Sequence, residues 1–286
     1  MLASLIIPTF HAEAFLPALL ERLLTQTVRA EILVVDTSPD DAAAAAALRC
    51  APRVRLLRLS PAQFDHGGTR HLALRATEGE FVFFFSQDAL PVDERFLETM
   101  LTSFADPTVA GAFARQLARA DAPDYERLTR SFNYPPVSRV WGAEDIPRWG
   151  VKAFFFSNAA SVYRRSAYEA VGGFDRGVPA NEDMLLAARL LHAGYRLCYR
   201  ADACVLHSHA HTLTQEFERN RRIGQVMVRY GGRFGSAAPT NEGARLVGYV
   251  TGELLRTGKT IQAADFLLHA AARGAGFAVG ALQERL

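Results

Sequence analysis

Cysteine is scarce. The 286 residues hold three, Cys50, Cys198 and Cys204, with no C-x-x-C pair, and an odd number excludes a framework built wholly on disulfides. A reducing cytoplasm is the expected setting. Long apolar runs are also missing: nothing approaches the roughly 18 residues that a membrane span needs. The start, Met1-Leu2-Ala3-Ser4-Leu5-Ile6-Ile7-Pro8, is too short and too soon interrupted for a signal peptide. A soluble protein, or one peripheral to a membrane, is expected. Charge of one sign is lacking too. A net charge of +2, with scattered basic residues, argues against a nucleic-acid partner, and no internal repeat is visible. What is present, 49% hydrophobic and 22% charged residues, is an ordinary globular composition, sufficient for one large α/β domain and a smaller appendage.

The first hundred residues alternate strand and helix. Leu2 to Ile7 is an apolar run halted by Pro8, and Glu13 to Thr27 follows with Leu16, Leu19, Leu20, Leu23 and Leu24 at helical spacing. Ile32-Leu33-Val34-Val35 ends in the turn Asp36-Thr37-Ser38-Pro39-Asp40, which also caps a helix over Asp41 to Leu48. Val54 to Leu59 reads as a third strand and Phe81 to Phe85 as a fourth, with a helix over Thr69 to Thr77 between them. This rhythm implies right-handed crossovers and a mostly parallel sheet, a nucleotide-binding half. Beyond Met100 the pattern loosens. A strand is expected at Val109 to Ala114, then a proline-rich stretch from Ala120 to Gly150 with both tryptophans, Trp141 and Trp149; long irregular segments are usually functional. Phe154 to Tyr163 reads as extended, Asn181 to Ala193 as a helix closed by Gly194, Tyr195 to Tyr199 and Ala203 to Leu206 as two strands, and everything from Thr212 as helical.

Several residues can carry chemistry. Gly67 and Gly68, in Phe64-Asp65-His66-Gly67-Gly68-Thr69-Arg70, let a backbone approach a ligand ahead of a helix whose free N–H groups favour anions, and Arg70 adds a cation; the pair also fits a plain helix-entry turn. Asp88 ends the apolar strand at a sheet edge where α/β proteins bind ligands, and it also fits as an N-cap for the helix near Pro91. Glu182 and Asp183 suit a helix's first turn electrostatically, yet the loop Gly172 to Ala180 just ahead is of the kind shaped around a ligand. One of them has the place of a general base, and spacing does not choose between them. His207, His209 and His211 share one face of an extended segment, with Ser208 and Ala210 pointing away; neutral imidazoles there suit a Mn²⁺-like metal to which Asp88 adds an oxygen, or are simply polar loop residues. Asp36 can accept a hydrogen bond from a nucleobase or ribose, or cap the next helix. Arg115-Gln116, and the cluster Arg219, Arg221 and Arg222, fit solvated surface, though phosphates or an anionic membrane would use the arginines equally well.

Taken in order, Leu5-Ile6-Ile7-Pro8-Thr9, Val34-Val35-Asp36-Thr37-Ser38, the Phe64 to Arg70 segment, Ser86-Gln87-Asp88-Ala89, Phe155-Phe156-Ser157-Asn158-Ala159, Gly172-Gly173-Phe174, Asn181-Glu182-Asp183 and His207-Ser208-His209 resemble the inverting family-two glycosyltransferases, and more narrowly their bacterial rhamnosyltransferase branch. The likeness covers roughly residues 2 to 230. It implies the glycosyltransferase-A fold, a Rossmann-like mixed but mostly parallel sheet flanked by helices. The catalytic domain is expected over 1–211, divided into a nucleotide-binding half (1–105) and an acceptor-side half (106–211), with a helical C-terminal region over 212–286.

The resemblance implies that Pro8, Thr9 and Asp36 hold the nucleoside, that Gly67, Gly68 and Arg70 lie near the donor phosphates, and that Gln87 and Asn158 belong to the donor site, with a weaker place for Glu13. Asp88 matches the last acid of the family's Asp-x-Asp motif, whose first acid is Ser86 here. It is expected to bind Mg²⁺ or Mn²⁺ with His207, and His209 is the second choice. Asp183 is the implied base, with Glu182 beside it. The implied donor is dTDP-L-rhamnose and the implied acceptor a saccharide hydroxyl of a lipid-linked polysaccharide such as O-antigen, handled in the cytoplasm or at the inner face of the membrane. The basic, alanine-rich C-terminal helices suit homodimer contacts or membrane docking. Trp141, Trp149 and Asn158 are expected to shape the sugar pocket. A sugar-nucleotide synthase lacks support, because Pro8-Thr9-Phe10-His11 stands where its glycine-rich loop would be. A non-catalytic glycan-binding scaffold would need none of Asp88, Asp183 and His207.

Overall fold

The computed structural model describes residues 3–50, 52–209, 211–235, 237 and 241–286; Leu2, expected at the start of the first strand, and Ala210, expected to point away from the histidines, lie outside these. The first half is built as the alternation implies. Strands β1 (Ala3–Thr9), β2 (Ala30–Asp36), β3 (Val54–Arg58) and β4 (Phe81–Phe85) are all parallel, in the order β3-β2-β1-β4. They are connected by α1 (Leu16–Leu24), α2 (Ala42–Arg49) and α3 (His66–Arg75). Every residue of β4 is buried, which is why it reads as an unbroken apolar run rather than an alternating one. The register sets Thr9 beside Asp36, so the carboxyl ends of the central strands open at one edge.

Two helices begin elsewhere than their sequence suggests. Helix α1 starts at Leu16, with Pro17 in its first turn, because the chain from Ala12 to Phe15 is already closed as a turn on the Ala12 carbonyl. Helix α3 starts at His66, three residues early, because Asp65 caps it: one carboxylate oxygen accepts from Gly67 N (3.3 Å) and the other from Gly177 N (2.8 Å). Gly67 and Gly68 therefore lie inside the first helical turn. A Cβ on Gly67 would sit 2.1 Å from the Asp175 carbonyl oxygen, so this glycine permits the close seat of the 172–177 loop.

The second half is antiparallel in character. It contains β5 (Leu90–Pro91), α4 (Phe96–Leu101), β6 (Val109–Leu117), α5 (Asp124–Asn133), β7 (Arg139–Trp141), α6 (Ile146–Trp149), β8 (Ala160–Arg164), α7 (Arg165–Ala170), α8 (Glu182–His192) and β9 (Arg196–Leu206). The sheet continues β4-β8-β6-β9-β5, with β7 also on β9; only β6 and β9 are parallel here. Strand β6 runs on through Arg115 and Gln116, which do not follow the strand but belong to it. Strand β9 is continuous where two strands are expected. The register jumps from Ala114 opposite Arg200 to Arg115 opposite Cys204, so the residues that look like a break form a bulge. Extended structure in the 154–163 segment begins only at Ala160.

Apolar cores lie on both faces of the sheet, one against α1, α2 and α4, the other against α8 and the aromatic side chains around Tyr163 and Phe174. The C-terminal region is helical, with α9 (Leu213–Arg229), α10 (Glu242–Arg256) and α11 (Thr260–Gln283). Val250, Leu254, Ala263 and Phe266 of α10 and α11 close a small third core against Tyr125 and Leu128 of α5. Helix α11 also lies on α9 at backbone distance: a Cβ on Gly280 would fall 1.8 Å from the Arg221 carbonyl oxygen and one on Gly276 2.2 Å from that of Phe217. Gly280→Ala should therefore destabilise the protein by about 1–3 kcal/mol through overpacking, whereas Gly274→Ala, which meets nothing within 4 Å, should leave the melting temperature unchanged or slightly raised. Equal melting temperatures for the two variants would contradict this helix packing.

Candidate active site

At the carboxyl end of β2, Asp36 is wholly buried. Its Oδ1 accepts hydrogen bonds from Thr9 Oγ1 (2.9 Å), Ser38 Oγ (2.8 Å) and Ser38 N (3.3 Å), while Oδ2 has no partner. Because α2 begins six residues later, Asp36 is not its N-cap. A buried carboxylate oxygen left open at a strand end is an acceptor for a ligand N–H or O–H. Pro8, half-buried, stands in register with Val35. Gln87 locks its amide onto Phe10, accepting from the backbone N (2.8 Å) and donating to the carbonyl (3.0 Å), so the β1 and β4 loops are fastened together at this edge. Glu13 is exposed in the turn before α1.

Past β4, Asp88 meets the end of β9. Its Oδ1 lies 3.4 Å from His207 Nε2 and its Oδ2 3.4 Å from His209 Nδ1, and one ligand atom from each of the three residues falls within 4.8 Å of the others. His207 Nδ1 is 2.8 Å from Gln116 Oε1, which also accepts from the Arg130 guanidinium, while the Gln116 amide nitrogen donates to Ser157 Oγ (2.8 Å). The Gln116 oxygen acts only as an acceptor, so His207 Nδ1 carries a proton, and Nε2 turns to Asp88 without a hydrogen-bond partner. Burial drives His209 down to about 3, with the neighbouring His207 adding to it, which keeps this imidazole neutral. Burial works to raise the Asp88 carboxyl, but the two imidazoles beside it outweigh this, and the group is held below its usual range. One carboxylate, two imidazoles and an orphaned ring nitrogen fit a divalent ion of Mn²⁺ or Mg²⁺ type. His211 is not in this set; its ring stacks 4.9 Å from His209 and faces the next cavity. Gln116 is the residue that sequence reasoning missed, because the strand was expected to stop at Ala114.

The third cluster stands at the start of α8. Asn181, left-handed at φ 57°, turns the chain sharply so that Glu182 and Asp183 enter side by side. Asn158 grips both acids: its side-chain amide donates to Glu182 Oε1 (3.3 Å) and its backbone N to Asp183 Oδ2 (3.1 Å). Its own side-chain oxygen is fixed by the hydroxyls of Ser161 and Tyr163. Glu182, 6% exposed, is paired with Arg70, 8% exposed, at 3.1 Å. Arg70 thus points at the acids. Asp183 accepts from Met184 N (2.8 Å) as well, yet burial, reinforced by the charge of Glu182, pushes its carboxyl up to about 7. The environments of the two acids differ: both line a cavity of about 460 Å³, but Glu182 is held in an ion pair with Arg70, whereas Asp183 has the proton affinity that a general base needs. The cavity is roofed by α9 through Gln215, Arg219 and Arg222. Trp141 and Trp149, grouped with Asn158 in the sequence, line a separate cavity with Phe113 and Phe155, which shares no lining residue with this one.

Because Asp183 titrates near 7 when folded and near 3.8 otherwise, its contribution to stability is intact at low pH and is lost as pH rises through about 7. Asp183→Asn should accordingly raise the melting temperature at pH 8 by roughly 2–4 °C per kcal/mol released, and much less at pH 5; a variant less stable than the parent at pH 8 would overturn the assignment. Mn²⁺ should raise the melting temperature of the parent protein and fail to do so in Asp88→Asn.

The comparisons with known proteins agree with this geometry. The model of the family "Glycosyl transferase family 2" matches residues 4–172. The chain is 35% identical over 221 residues to the O-antigen chain rhamnosyltransferase RfbN of Salmonella typhimurium, covering 77% of this chain and 70% of that protein. It is 38% identical over 219 residues to the O-antigen chain rhamnosyltransferase WbaN of Salmonella anatum, covering 76% and 69%. Among solved structures, the mannosyltransferase PcManGT from Pyrobaculum calidifontis in complex with GDP-Man and Mn²⁺ superposes with a TM-score of 0.68 at 20% identity, over 99% of this chain and 88% of that one. S. aureus TarS 1-349 in complex with UDP-GlcNAc gives 0.58 at 15%, over 100% and 92%. These two likenesses bear on the fold, which is glycosyltransferase-A. With the family model covering more than half of the chain and two close relatives covering three-quarters of it, the protein belongs to glycosyl transferase family 2 and is a glycosyltransferase of the rhamnosyltransferase-like branch.

Proposed function

We propose that the protein is an inverting rhamnosyltransferase that moves L-rhamnose from dTDP-L-rhamnose to a hydroxyl of a lipid-linked surface polysaccharide precursor of O-antigen type. The observation that carries this reading is the Asp183 carboxyl, which lines a cavity and whose surroundings give it the proton affinity of a general base, in a chain 35% and 38% identical to two O-antigen rhamnosyltransferases. One base whose neighbour Glu182 is tied to Arg70 suits a single displacement. Asp183 takes the proton of the acceptor hydroxyl as that oxygen attacks the anomeric carbon, and configuration inverts as the bond to the diphosphate breaks. Asn158 holds Asp183 through its backbone N–H, burial and the charge of Glu182 keep the base's proton affinity high, and Arg70 holds Glu182 in place. Asp36 offers its open oxygen to the thymine imide or a ribose hydroxyl, next to Pro8 and Thr9. Asp88, His207 and His209 would hold Mg²⁺ or Mn²⁺, whose chemistry when bound is to neutralise the departing diphosphate.

Gly67, Gly68 and Gln87 act as architecture in this reading, seating the 172–177 loop and joining the β1 and β4 ends. Exposed Ile261, Leu268 and Leu282 on α11 give the C-terminal region an apolar face for a second subunit or for the inner face of the cell membrane. A UDP- or GDP-linked donor is the competing enzyme reading and a non-catalytic glycan-binding scaffold the competing non-enzyme one. Titration with dTDP-L-rhamnose and UDP-glucose, each with Mn²⁺ or chelator, separates the donors: selective, metal-dependent binding of the first is expected, and equal binding of both would remove the rhamnosyl assignment. Asp183→Asn should keep donor binding while turnover falls by roughly 10²–10⁴; undiminished turnover would remove Asp183 as the base.

A further inference from the structure

The roof of the Asp183 cavity is richer in positive charge than its walls account for. Arg219 and Arg222 lie three residues apart on α9, hence on one face and roughly 5–6 Å apart at Cβ, and both line the cavity. Neither forms an ion pair or hydrogen bond among the described residues. The acids that could neutralise them are engaged elsewhere. Glu218 binds Arg221 through Nη2 (2.8 Å) and Nε (3.0 Å), Glu216 is taken by Arg273 (2.8 Å), and Glu182 on the opposite wall by Arg70. Asp183 is the acid of this cavity outside an ion pair among the described residues, and its oxygens are taken by Asn158 N and Met184 N; His66 beside it is held below its usual range by burial. Two guanidinium groups with no ion pair among the described residues thus line the same space as the Asp183 carboxyl.

We infer that Arg219 and Arg222 form a binding site for a phosphate or diphosphate group of a substrate, opposite Asp183. A planar guanidinium presents paired N–H donors that match phosphate oxygens, and two of them one helical turn apart can grip one phosphate together or each take one half of a diphosphate. Two sources have this chemistry: the diphosphate of the nucleotide sugar, and the phosphate that links the first sugar of an acceptor to its lipid. The assignment of the source rests on the transferase reading, whereas the binding of the anion does not.

The test therefore begins without metal or turnover. In chelator, inorganic diphosphate should bind the full-length protein with an affinity that weakens as salt is raised. Arg219→Gln/Arg222→Gln should lose tenfold or more, while Arg221→Gln, whose guanidinium is already committed to Glu218, should stay within twofold. No binding to the parent protein, or an equal loss in Arg221→Gln, would overturn the site. Absence of transfer by the parent protein would bear on the proposed function and leave this measurement readable. Where transfer is seen, KM for the nucleotide sugar and KM for an acceptor with and without its phosphate locate the group. A tenfold rise confined to the donor, or to the phosphate-bearing acceptor, assigns the source; values within twofold in both arms would show that the anion site is not used by the reaction and overturn the inference.

Discussion

Two largely buried carboxylates next to each other are the constraint around which the rest of this molecule is arranged. Burying adjacent negative charges is costly unless one is paired and both are hydrogen-bonded. Here the cost falls unequally by design of the surroundings: Arg70 neutralises Glu182, Asn158 reaches both acids, and Asp183 is left with a proton affinity near neutrality. Each supporting group arrives from a different part of the chain, Arg70 from α3, Asn158 from the turn before β8, the acids from α8. The close seating of the 172–177 loop against Gly67 brings α3 and α8 together.

The sheet changes character where the chemistry changes. Its parallel half ends in the Thr9–Asp36 edge with an unfilled acceptor, whereas the half in which β8 runs antiparallel carries the acids and the histidines. Asp88 stands at the seam, leaving β4 and meeting the end of β9. The bulge in β9 matters for that meeting. Without the extra residues opposite Ala114 and Arg115, the strand's end would be out of step with Gln116, and the hydrogen bond that fixes the tautomer of His207 would have no acceptor.

Much of this is written in the sequence at short range. The apolar runs of β1, β2 and β4, the leucine spacing of α1, and the acids opening α8 follow from local pattern, and the ordered motifs from Pro8 to His209 carry the family. What the sequence does not display is pairing at a distance. Arg70 looks like a phosphate ligand until Glu182 is seen beside it; Gly67 and Gly68 look like a ligand loop until Asp65 is seen to cap the helix; Arg200 to Asp202 look like a strand break until β6 supplies the register. Trp141 and Trp149 look like part of the sugar wall because they fall in an irregular segment, yet their cavity is separate. Gln116 gave no signal at all, since its importance lies wholly in what β9 brings to it.

The glycine contacts between α11 and α9 bear on how such a protein can diversify. The seat of α9 over the Asp183 cavity rests on α11, against which it packs at two positions without side chains, Gly276 and Gly280. A side chain at either position would re-tilt the terminal helices, and with them the shape of the entrance, while the strands that lead to Asp36 and Asp88 stay as they are.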